Sequence, residues 1–353
     1  MIGPANAPDP VRSPTRTGLP RRRLGRAGPE ITRVGFGSWA IGGAGWASSW
    51  GAQDDGAAIA AMRHAVERGI NWIDTAAIYG VGHSEVLVGR LLRELPVAQR
   101  PMVFTKCGLM WDPANPMKPA WRDLEPKSLR AQCDASLARL GVETIDLFQF
   151  HRPDTDTGTA VEDSWGELGR LIDEGKVRWG GLSNFDVDLL DRCEKIRHVD
   201  SFQPALSLIR RQSAESWIPW CAAHGTGVIV YSPMGAGIFT DRFSLERVRA
   251  LPADDWRTRN AEFLPPNVER NVALRDALVP IAAKHHATVA EVAVAWTLHW
   301  PGVTGAIVGA RSPEQVDGWI GAAAITLDAA DLATISAAIE RTGAGQGPVR
   351  PAS

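Results

Sequence analysis

The 353-residue sequence has only four cysteines, Cys107, Cys133, Cys193 and Cys221, and no two of them form a CxxC pair. This spacing excludes a dense disulfide framework and a zinc knuckle, both of which need closely placed cysteines. No apolar run reaches the roughly 18 residues of a membrane-spanning helix. The net charge of −2 gives no general attraction to nucleic acid or anionic lipid. We therefore expect a protein of a reducing cytoplasm with neither nucleic-acid nor membrane partners.

Tyrosine is also scarce, with two residues against 14 tryptophans. Because phenol groups are so few, the positions of Tyr79 and Tyr231 are informative about any chemistry that needs one. Hydrophobic residues make up 44% of the chain and charged residues 22%, which suffices for a large core and excludes a wholly disordered chain. Residues 1–18 are rich in proline and have no apolar stretch, which predicts a flexible N-terminal extension rather than a secretory signal.

Short apolar runs alternate with longer segments of helical period from Ile31 onward, which is typical of repeated βα units around a parallel sheet. The predicted strands are residues 32–37, 71–75, 102–106, 144–151, 177–183, 201–206, 227–232 and 303–309. The predicted helices are residues 54–68, 83–95, 126–140, 160–174, 187–196, 214–224, 289–299 and 312–322. An α/β fold of the (β/α)8 TIM barrel type needs this number of units, whereas an open doubly wound sheet rarely does. We predict one barrel domain over residues 19–342.

Four segments lie outside the eight units. Residues 21–31 are predicted to form an N-terminal hairpin that could plug the lower end of the barrel. The connection over residues 233–288 is far longer than the others, and we expect it to contribute to binding. Residues 329–339 are predicted to form an extra C-terminal helix, and residues 343–353 a C-terminal tail.

Polar residues that close apolar strands are candidates for chemistry, because reactive groups of a (β/α)8 barrel lie where strands end. The second, third and fourth strands end in Asp74, Lys106 and His151, and Tyr79 follows in the loop after Asp74. Neighbouring strands are about 4.8 Å apart, so these groups should lie within roughly 10 Å. An ammonium about 4 Å from a phenol could lower the phenol's pKa from about 10 toward neutral pH. Asp74 would then hold Lys106, and His151 would donate a hydrogen bond to a substrate oxygen.

Each of these residues also has a structural interpretation. Taken alone, a buried Asp–Lys pair, a strand-end histidine or a loop tyrosine is as easily explained by packing and hydrogen bonding. Their coincidence at consecutive strand ends favours a catalytic group.

Several segments together resemble the motifs of the aldo-keto reductases: residues 71–85, 105–108, 146–151, 181–185 and 231–234. The resemblance extends from about residue 19 to residue 342 and keeps the order and spacing of the motifs. It implies an NADPH-dependent oxidoreductase that reduces an aldehyde or ketone to an alcohol by hydride transfer. It also implies a catalytic tetrad of Asp74, Tyr79, Lys106 and His151, with Tyr79 as the general acid. No metal is implied, and the eight histidines form neither an HExxH motif nor an HxH pair.

The resemblance further implies the residues around the nicotinamide end of the cofactor. They are Ser183, Asn184, Gln203, Tyr231 and Ser232. The Asn184 and Gln203 amides offer the donors and acceptors that a carboxamide needs, and the Tyr231 ring would lie against the nicotinamide. Taken alone, Asn184 could equally be a helix cap or turn residue, and Gln203 a buried amide.

Residues implied for the phosphate end follow the seventh and eighth strands. They are Gly235, Gly237, Gly309, Arg311, Ser312 and Gln315. Free backbone N–H groups at a helix start favour phosphate, and Arg311 would contact the adenosine 2′-phosphate, which favours NADPH over NADH. Ser312 with Gln315 also fits a helix capping box, so a capping role alone remains an alternative for Ser312.

Tryptophans are placed to form an apolar substrate pocket above the nicotinamide: Trp39, Trp46 and Trp50 in the first loop, and Trp111 after the third strand.

The sequence departs from common members of the family at two positions. Leu206 replaces a tyrosine and Trp319 an asparagine, which leaves the adenine contacts and the fine cofactor preference open. Channel β-subunits share the fold and cofactor of the family, so an NADPH-binding redox-sensing or regulatory protein with slow turnover is the alternative to a reductase of small carbonyl compounds. Neither the particular substrate nor the oligomeric state is predicted.

Overall fold

Eight short apolar segments pair side by side and close into a barrel in the computed structural model, which describes residues 18–251 and 255–351. The predicted N-terminal extension lies outside these ranges except for Gly18. The barrel strands are β1 (Val34–Gly37), β2 (Trp72–Asp74), β3 (Met102–Cys107), β4 (Ile145–Phe150), β5 (Val177–Ser183), β6 (Ser201–Gln203), β7 (Gly227–Tyr231) and β8 (Val303–Gly309). β8 pairs in parallel with β1 and closes the ring, which confirms the predicted (β/α)8 barrel.

Helices connect the strands. They are α1 (Asp55–Glu67), α2 (His83–Glu94), α3 (Pro126–Leu140), α4 (Val161–Asp173), α5 (Val187–Glu194), α6 (Trp217–His224), α7 (Leu245–Arg249), α8 (Asn267–Ala277), α9 (Val279–Lys284), α10 (Val289–His299), α11 (Pro313–Asp317) and α12 (Ala329–Thr342). Their ends carry capping residues: the Asp54 side chain accepts the Ala57 N–H at 2.8 Å, and Gly141 ends α3 with a left-handed φ of 68°. α12 is the predicted C-terminal helix.

Three segments differ from the prediction. The helix predicted over residues 312–322 is the short α11, which ends before Gly318 and is followed by a 3₁₀ turn at Ile320–Ala324. β6 ends at Gln203, earlier than predicted, because Pro204 has no N–H to donate to a neighbouring strand. The long connection before α10 contains the helices α7, α8 and α9. No helix was predicted in this proline-containing segment.

Side-chain alternation divides the barrel interior into layers. The lower layer is a buried apolar cluster that contains Trp72, Phe104, Leu147, Ile229 and Ile307. Residues two positions later face the same interior nearer the carboxyl end, because strand side chains repeat with a period of two. On β2, β3 and β4 these residues are Asp74, Lys106 and Gln149, and all three are buried. The apolar layer thus separates a polar layer from the lower end of the barrel.

The predicted N-terminal hairpin is present and closes that lower end. Arg21–Arg23 pairs antiparallel with Glu30–Thr32. Leu24 and Ile31 belong to the apolar cluster inside the barrel. The Arg26 N–H donates to Gly225 O at 2.8 Å, which ties the hairpin turn to the start of β7. The predicted plug is therefore confirmed.

The C-terminal segment after α12 lies along the loop that follows β6. The Arg211 N–H donates to Gln346 O at 2.8 Å, and the Gln346 N–H donates to Ile209 O at 3.2 Å. Among the described helices none is by itself both long and apolar enough to cross a membrane. Residues 313–324 and α12 meet that test only as a pair bent by 119°.

Candidate active site

Lys106 connects two of the other candidate catalytic residues. Its Nζ donates to Asp74 Oδ1 at 2.5 Å and to Thr75 O at 3.0 Å, and it lies 3.4 Å from the Tyr79 hydroxyl. Asp74 and Lys106 are only 2% and 1% exposed. Their charges therefore interact with little screening by water.

The backbone after β2 brings Tyr79 over Lys106. The Thr75 and Ala77 N–H groups donate to Phe104 O and Lys106 O at 2.8 and 3.2 Å, which continues the pairing with β3 beyond the end of β2. Gly80 follows Tyr79 with a left-handed φ of 59°, and a Cβ there would lie 2.1 Å from Gly42 O. Only glycine fits this close approach, so the first loop packs directly against the backbone beside Tyr79.

His151 completes the group. Its ring meets the Tyr79 ring edge-on, with centroids 5.8 Å apart. The His151 N–H donates to Cys107 O at 3.0 Å, and its carbonyl accepts from Asn184 Nδ2 at 3.0 Å. Because both backbone groups are bonded, the imidazole is held at the mouth of the barrel beside the phenol.

Burial controls the acidity of the phenol. It raises the pKa of Tyr79 well above its ordinary value, and the Asp74 charge raises it further. The sequence-based expectation of a net lowering of the Tyr79 pKa is therefore wrong. It considered the attraction of the ammonium and left out both the desolvation of a phenolate and the repulsion by Asp74. The phenol carries its proton at neutral pH.

Burial also shifts the pKa values of His151, Asp74 and Lys106. Desolvation lowers the pKa of His151 well below its ordinary value, and the positive charges of Lys106 and Arg152 lower it further. His151 is thus a neutral imidazole at pH 7. Desolvation also raises the pKa of Asp74 and lowers the pKa of Lys106, and in each case the partner's charge opposes the shift.

Two glutamines extend the polar layer beneath the tetrad. Gln203 Nε2 donates to Asp74 Oδ2 at 2.9 Å and to Gln149 Oε1 at 3.2 Å. Gln149 Nε2 is buried and has no hydrogen-bond partner in the described structure. Sequence reasoning missed Gln149, although its position two residues before His151 on β4 was a usable signal of an inward-facing side chain.

Four of the five residues implied for the nicotinamide end form a hydrogen-bonded chain at the ends of β5 to β7. Tyr231 OH donates to Asn184 Oδ1 at 2.8 Å, Asn184 Nδ2 lies 2.9 Å from Ser183 Oγ, and Ser183 Oγ donates to Gln203 O at 2.8 Å. Asn184 has a left-handed φ of 61°. It does not cap α5, because Asp186 does so by accepting the N–H of the first turn. The helix-cap alternative for Asn184 is therefore wrong.

At the phosphate end, hydrogen bonds join Arg311 to the loop before α1 and to Gln315 on α11. The Arg311 guanidinium donates to Gln53 Oε1 at 2.6 Å and to Trp50 O at 3.2 Å, and also to Ala52 O. The Arg311 N–H donates to Gln315 Oε1 at 2.9 Å. The Ser312 side chain does not cap α11, so the alternative of a capping role alone for Ser312 is wrong.

A loop of left-handed residues follows β7. The positive φ angles are 57° at Ser232, 56° at Gly235, 55° at Ala236 and 97° at Gly237. A Cβ added to Gly237 would meet nothing within 4 Å, so the backbone there faces open space. Gly309 ends β8, where a Cβ would make only ordinary contacts at 3.6 Å or more.

Three of the four candidate pocket tryptophans, Trp39, Trp46 and Trp111, belong to one hydrophobic cluster with Tyr79. The Trp39 and Trp46 ring centroids lie 6.3 and 6.4 Å from that of Tyr79. Trp46 and Trp111, with Ile78, line a cavity of about 270 Å³. The cavity walls are largely apolar, which suits the carbon skeleton of a small molecule.

Trp50 lies elsewhere. Its ring is packed edge-on against both Trp39 and Trp256, with centroids 5.3 and 5.4 Å apart, and the Arg257 guanidinium lies 5.0 Å from it. Trp256 belongs to the long seventh connection and was missed by sequence reasoning. The unusual length of that connection was the available signal.

No group of three or more potential metal ligands occurs within residues 18–251 and 255–351.

Comparisons with known proteins identify relatives of this chain. The model of the Aldo/keto reductase family matches residues 33–340. A probable aldo-keto reductase 1 of Glycine max is 33% identical over 90% of this chain and 88% of its own length. An NADH-specific methylglyoxal reductase of Escherichia coli (strain K12) is 31% identical over 90% of this chain and 98% of its own. The structure of a glycerol dehydrogenase from Gluconobacter oxydans superposes with a TM-score of 0.82 and 34% identity, covering 94% of this chain and 98% of that one.

Proposed function

Because the chain belongs to the aldo/keto reductase family, we propose that it reduces an aldehyde or ketone to an alcohol with NADPH. The reduced nicotinamide, when bound, supplies the hydride for the carbonyl carbon. The observation that carries the proposal is the position of Lys106 Nζ, 2.5 Å from Asp74 Oδ1 and 3.4 Å from the Tyr79 hydroxyl. The proton donor Tyr79 and the ammonium that can stabilise its phenolate therefore lie next to each other at the barrel mouth.

Tyr79 is the general acid. Its pKa is raised by burial, so the hydroxyl is protonated and ready to donate to the oxygen of the substrate. The phenolate that remains after donation is stabilised by the Lys106 ammonium, whose Nζ lies 3.4 Å from the Tyr79 oxygen. Asp74 fixes the ammonium in that position through its short ion pair.

His151 orients the carbonyl oxygen. Its pKa is lowered by burial, so the ring is neutral and can donate one hydrogen bond without competing for the proton of Tyr79. The edge-on contact with the Tyr79 ring and the bond from Asn184 to the His151 carbonyl keep the imidazole beside the phenol. The substrate oxygen is thus polarised where the proton arrives.

The residues at the mouth fit a nicotinamide dinucleotide. Asn184 and Ser183 supply amide and hydroxyl groups for the carboxamide, and Tyr231 supplies a ring for the nicotinamide face. A Cβ at Gly237 would meet nothing within 4 Å, so a pyrophosphate could approach the backbone of this loop closely. Arg311 supplies a cation for a 2′-phosphate.

Arg311 is the basis for preferring NADPH. One relative is named as NADH-specific, so the preference has to rest on this chain's own residues. Within residues 18–251 and 255–351, the hydrogen-bond partners of the Arg311 guanidinium are neutral oxygens, those of Gln53, Trp50 and Ala52. A guanidinium without a carboxylate partner can exchange these bonds for stronger ones to a phosphate.

Replacing Arg311 with alanine should raise the KM for NADPH by about 10- to 100-fold, the value of lost charge-assisted hydrogen bonds, and leave the KM for NADH nearly unchanged. Steady-state kinetics with both nucleotides measure the two effects. Arg68→Ala, which removes a surface arginine bound to Asp317 on α11, is the matched control and should change neither KM. Equal losses with both nucleotides in Arg311→Ala would remove the basis for NADPH.

The raised pKa of Tyr79 predicts the pH dependence of reduction. The phenol must carry its proton to act, so activity is retained below its pKa and lost above it. We expect no loss of kcat for a simple aldehyde between about pH 7 and about pH 9. A loss centred near pH 7 would contradict a buried, protonated acid. Continued NADPH consumption in the same assay separates an enzyme from a regulatory protein, which would stop after about one equivalent.

A further inference from the structure

Two cations near Tyr79 and Tyr231 lack partners. Arg152 follows His151 directly and is exposed, and its guanidinium makes no hydrogen bond or ion pair with any residue that the structure describes. Arg210 is half-buried in the loop after β6, and its side chain is likewise unpaired within the described ranges. Among the described residues, no carboxylate therefore neutralises the charge of either guanidinium.

Two other cations in the loops at the carboxyl end of the barrel are compensated. Lys118 pairs with Asp112 at 3.0 Å, and Arg257 pairs with Asp255 at 2.7 Å.

The carboxylates closest to Arg152 along the chain are occupied elsewhere. Asp154 accepts the Leu124 N–H at 2.7 Å and also bonds Thr157, and Asp156 accepts the Arg122 N–H at 2.7 Å. These bonds turn both acidic groups toward the loop after β3. Arg152 is thus left as an uncompensated charge beside His151.

The charge of Arg152 acts on the residues that would face a bound substrate. Burial raises the pKa of Tyr231 and of Tyr79, and the positive charge of Arg152 opposes both rises. It also adds to the burial that lowers the pKa of His151. Arg152 thus acts on the pKa values of Tyr79, His151 and Tyr231. This effect agrees with its position next to His151, whose ring contacts Tyr79.

We propose that Arg152 determines substrate specificity by binding an anionic group, a carboxylate or a phosphate, that the carbonyl substrate carries away from its reacting carbon. The inference rests on the proposed reductase function and names its substrate class. The apolar cavity beside Trp46 and Trp111 would hold the carbon skeleton, and the guanidinium would hold the anion. Arg210, which also couples to Tyr231, would add to the positive potential.

The test compares charged and neutral substrates of equal size with NADPH present. The carboxylate arm uses 2-, 3- and 4-carboxybenzaldehyde against their methyl esters, and the phosphate arm uses glyceraldehyde 3-phosphate against glyceraldehyde. In the native protein, kcat/KM for at least one anionic compound should exceed that of its neutral counterpart by about 10-fold or more. The arm that responds identifies the anion.

Arg152→Gln should abolish that preference and leave kcat/KM for the neutral compounds within about twofold. The preference should weaken as salt is added to the native protein but not to the variant, because only the native protein has the charge to screen. Arg152→Lys should restore part of it. Arg170→Gln, on the exposed side of α4, is the control and should change nothing.

Two outcomes would overturn the proposal. One is equal activity of the native protein on charged and neutral compounds, which leaves the reductase function intact. The other is a rise in the KM for NADPH in Arg152→Gln with no change in substrate preference, which would assign the guanidinium to the cofactor. Absence of turnover with every aldehyde would instead contradict the proposed function itself.

Discussion

Replacing Tyr79 with phenylalanine is expected to lower kcat for aldehyde reduction by about 10²- to 10⁴-fold, the contribution of a positioned general acid. The substitution removes the hydroxyl 3.4 Å from Lys106 Nζ and keeps the ring that stacks on Trp39 at 6.3 Å. Because the ring stays, the fold and the nucleotide contacts should persist. Steady-state rates measure the first effect, and quenching of tryptophan fluorescence by added NADPH measures nucleotide binding.

The other tyrosine of the chain provides the control. Tyr231→Phe loses the hydrogen bond to Asn184 Oδ1 but no group of the tetrad. We expect a higher KM for the nucleotide and a loss of kcat of less than about tenfold, in proportion to one neutral hydrogen bond. An unchanged rate in Tyr79→Phe would show that another group supplies the proton. Equal losses of kcat in the two variants would show that Tyr79 has no special role.

The fold was predictable because its signals are local. Strand and helix periods repeat eight times along the chain, and turn formers such as Gly25 mark the hairpin. The same periodicity places Asp74 and Lys106 on one interior layer, since each ends an apolar strand and faces inward. The repeated strand and helix periods therefore predicted the barrel. They also predicted that the polar residues lie at the carboxyl ends of its strands.

The features that were missed depend on distant parts of the chain. Trp256 joins Trp39 and Trp50 only because the long seventh connection folds back onto the first loop, and no local pattern specifies that contact. The predicted direction of the shift in the Tyr79 pKa was wrong for a related reason. A pairwise estimate between phenol and ammonium needs only the strand spacing, whereas desolvation depends on everything that covers the phenol.

The ion pair of Asp74 and Lys106 leads to the second large expected effect. Each partner is almost completely buried, so removing one leaves the other without compensation. Asp74→Asn and Lys106→Met should each lower the free energy of unfolding by about 3–5 kcal/mol. Urea denaturation measures these losses. Lys106→Met should also lower kcat by about 10²-fold or more, because the phenolate of Tyr79 loses the cation 3.4 Å from its oxygen.

The double variant separates the two roles of the pair. Neutral Asn and Met leave no unpaired charge, and the Asn oxygen can still accept the bond that Gln203 now donates to Asp74 at 2.9 Å. Its loss of unfolding free energy should therefore be smaller than the sum of the single losses by about 1–3 kcal/mol, while its activity stays as low as that of Lys106→Met. Additive losses would mean that the charges do not support each other. Recovery of activity along with stability would mean that Lys106 only maintains the fold, and a stable but inactive double variant would assign it to the proton transfer.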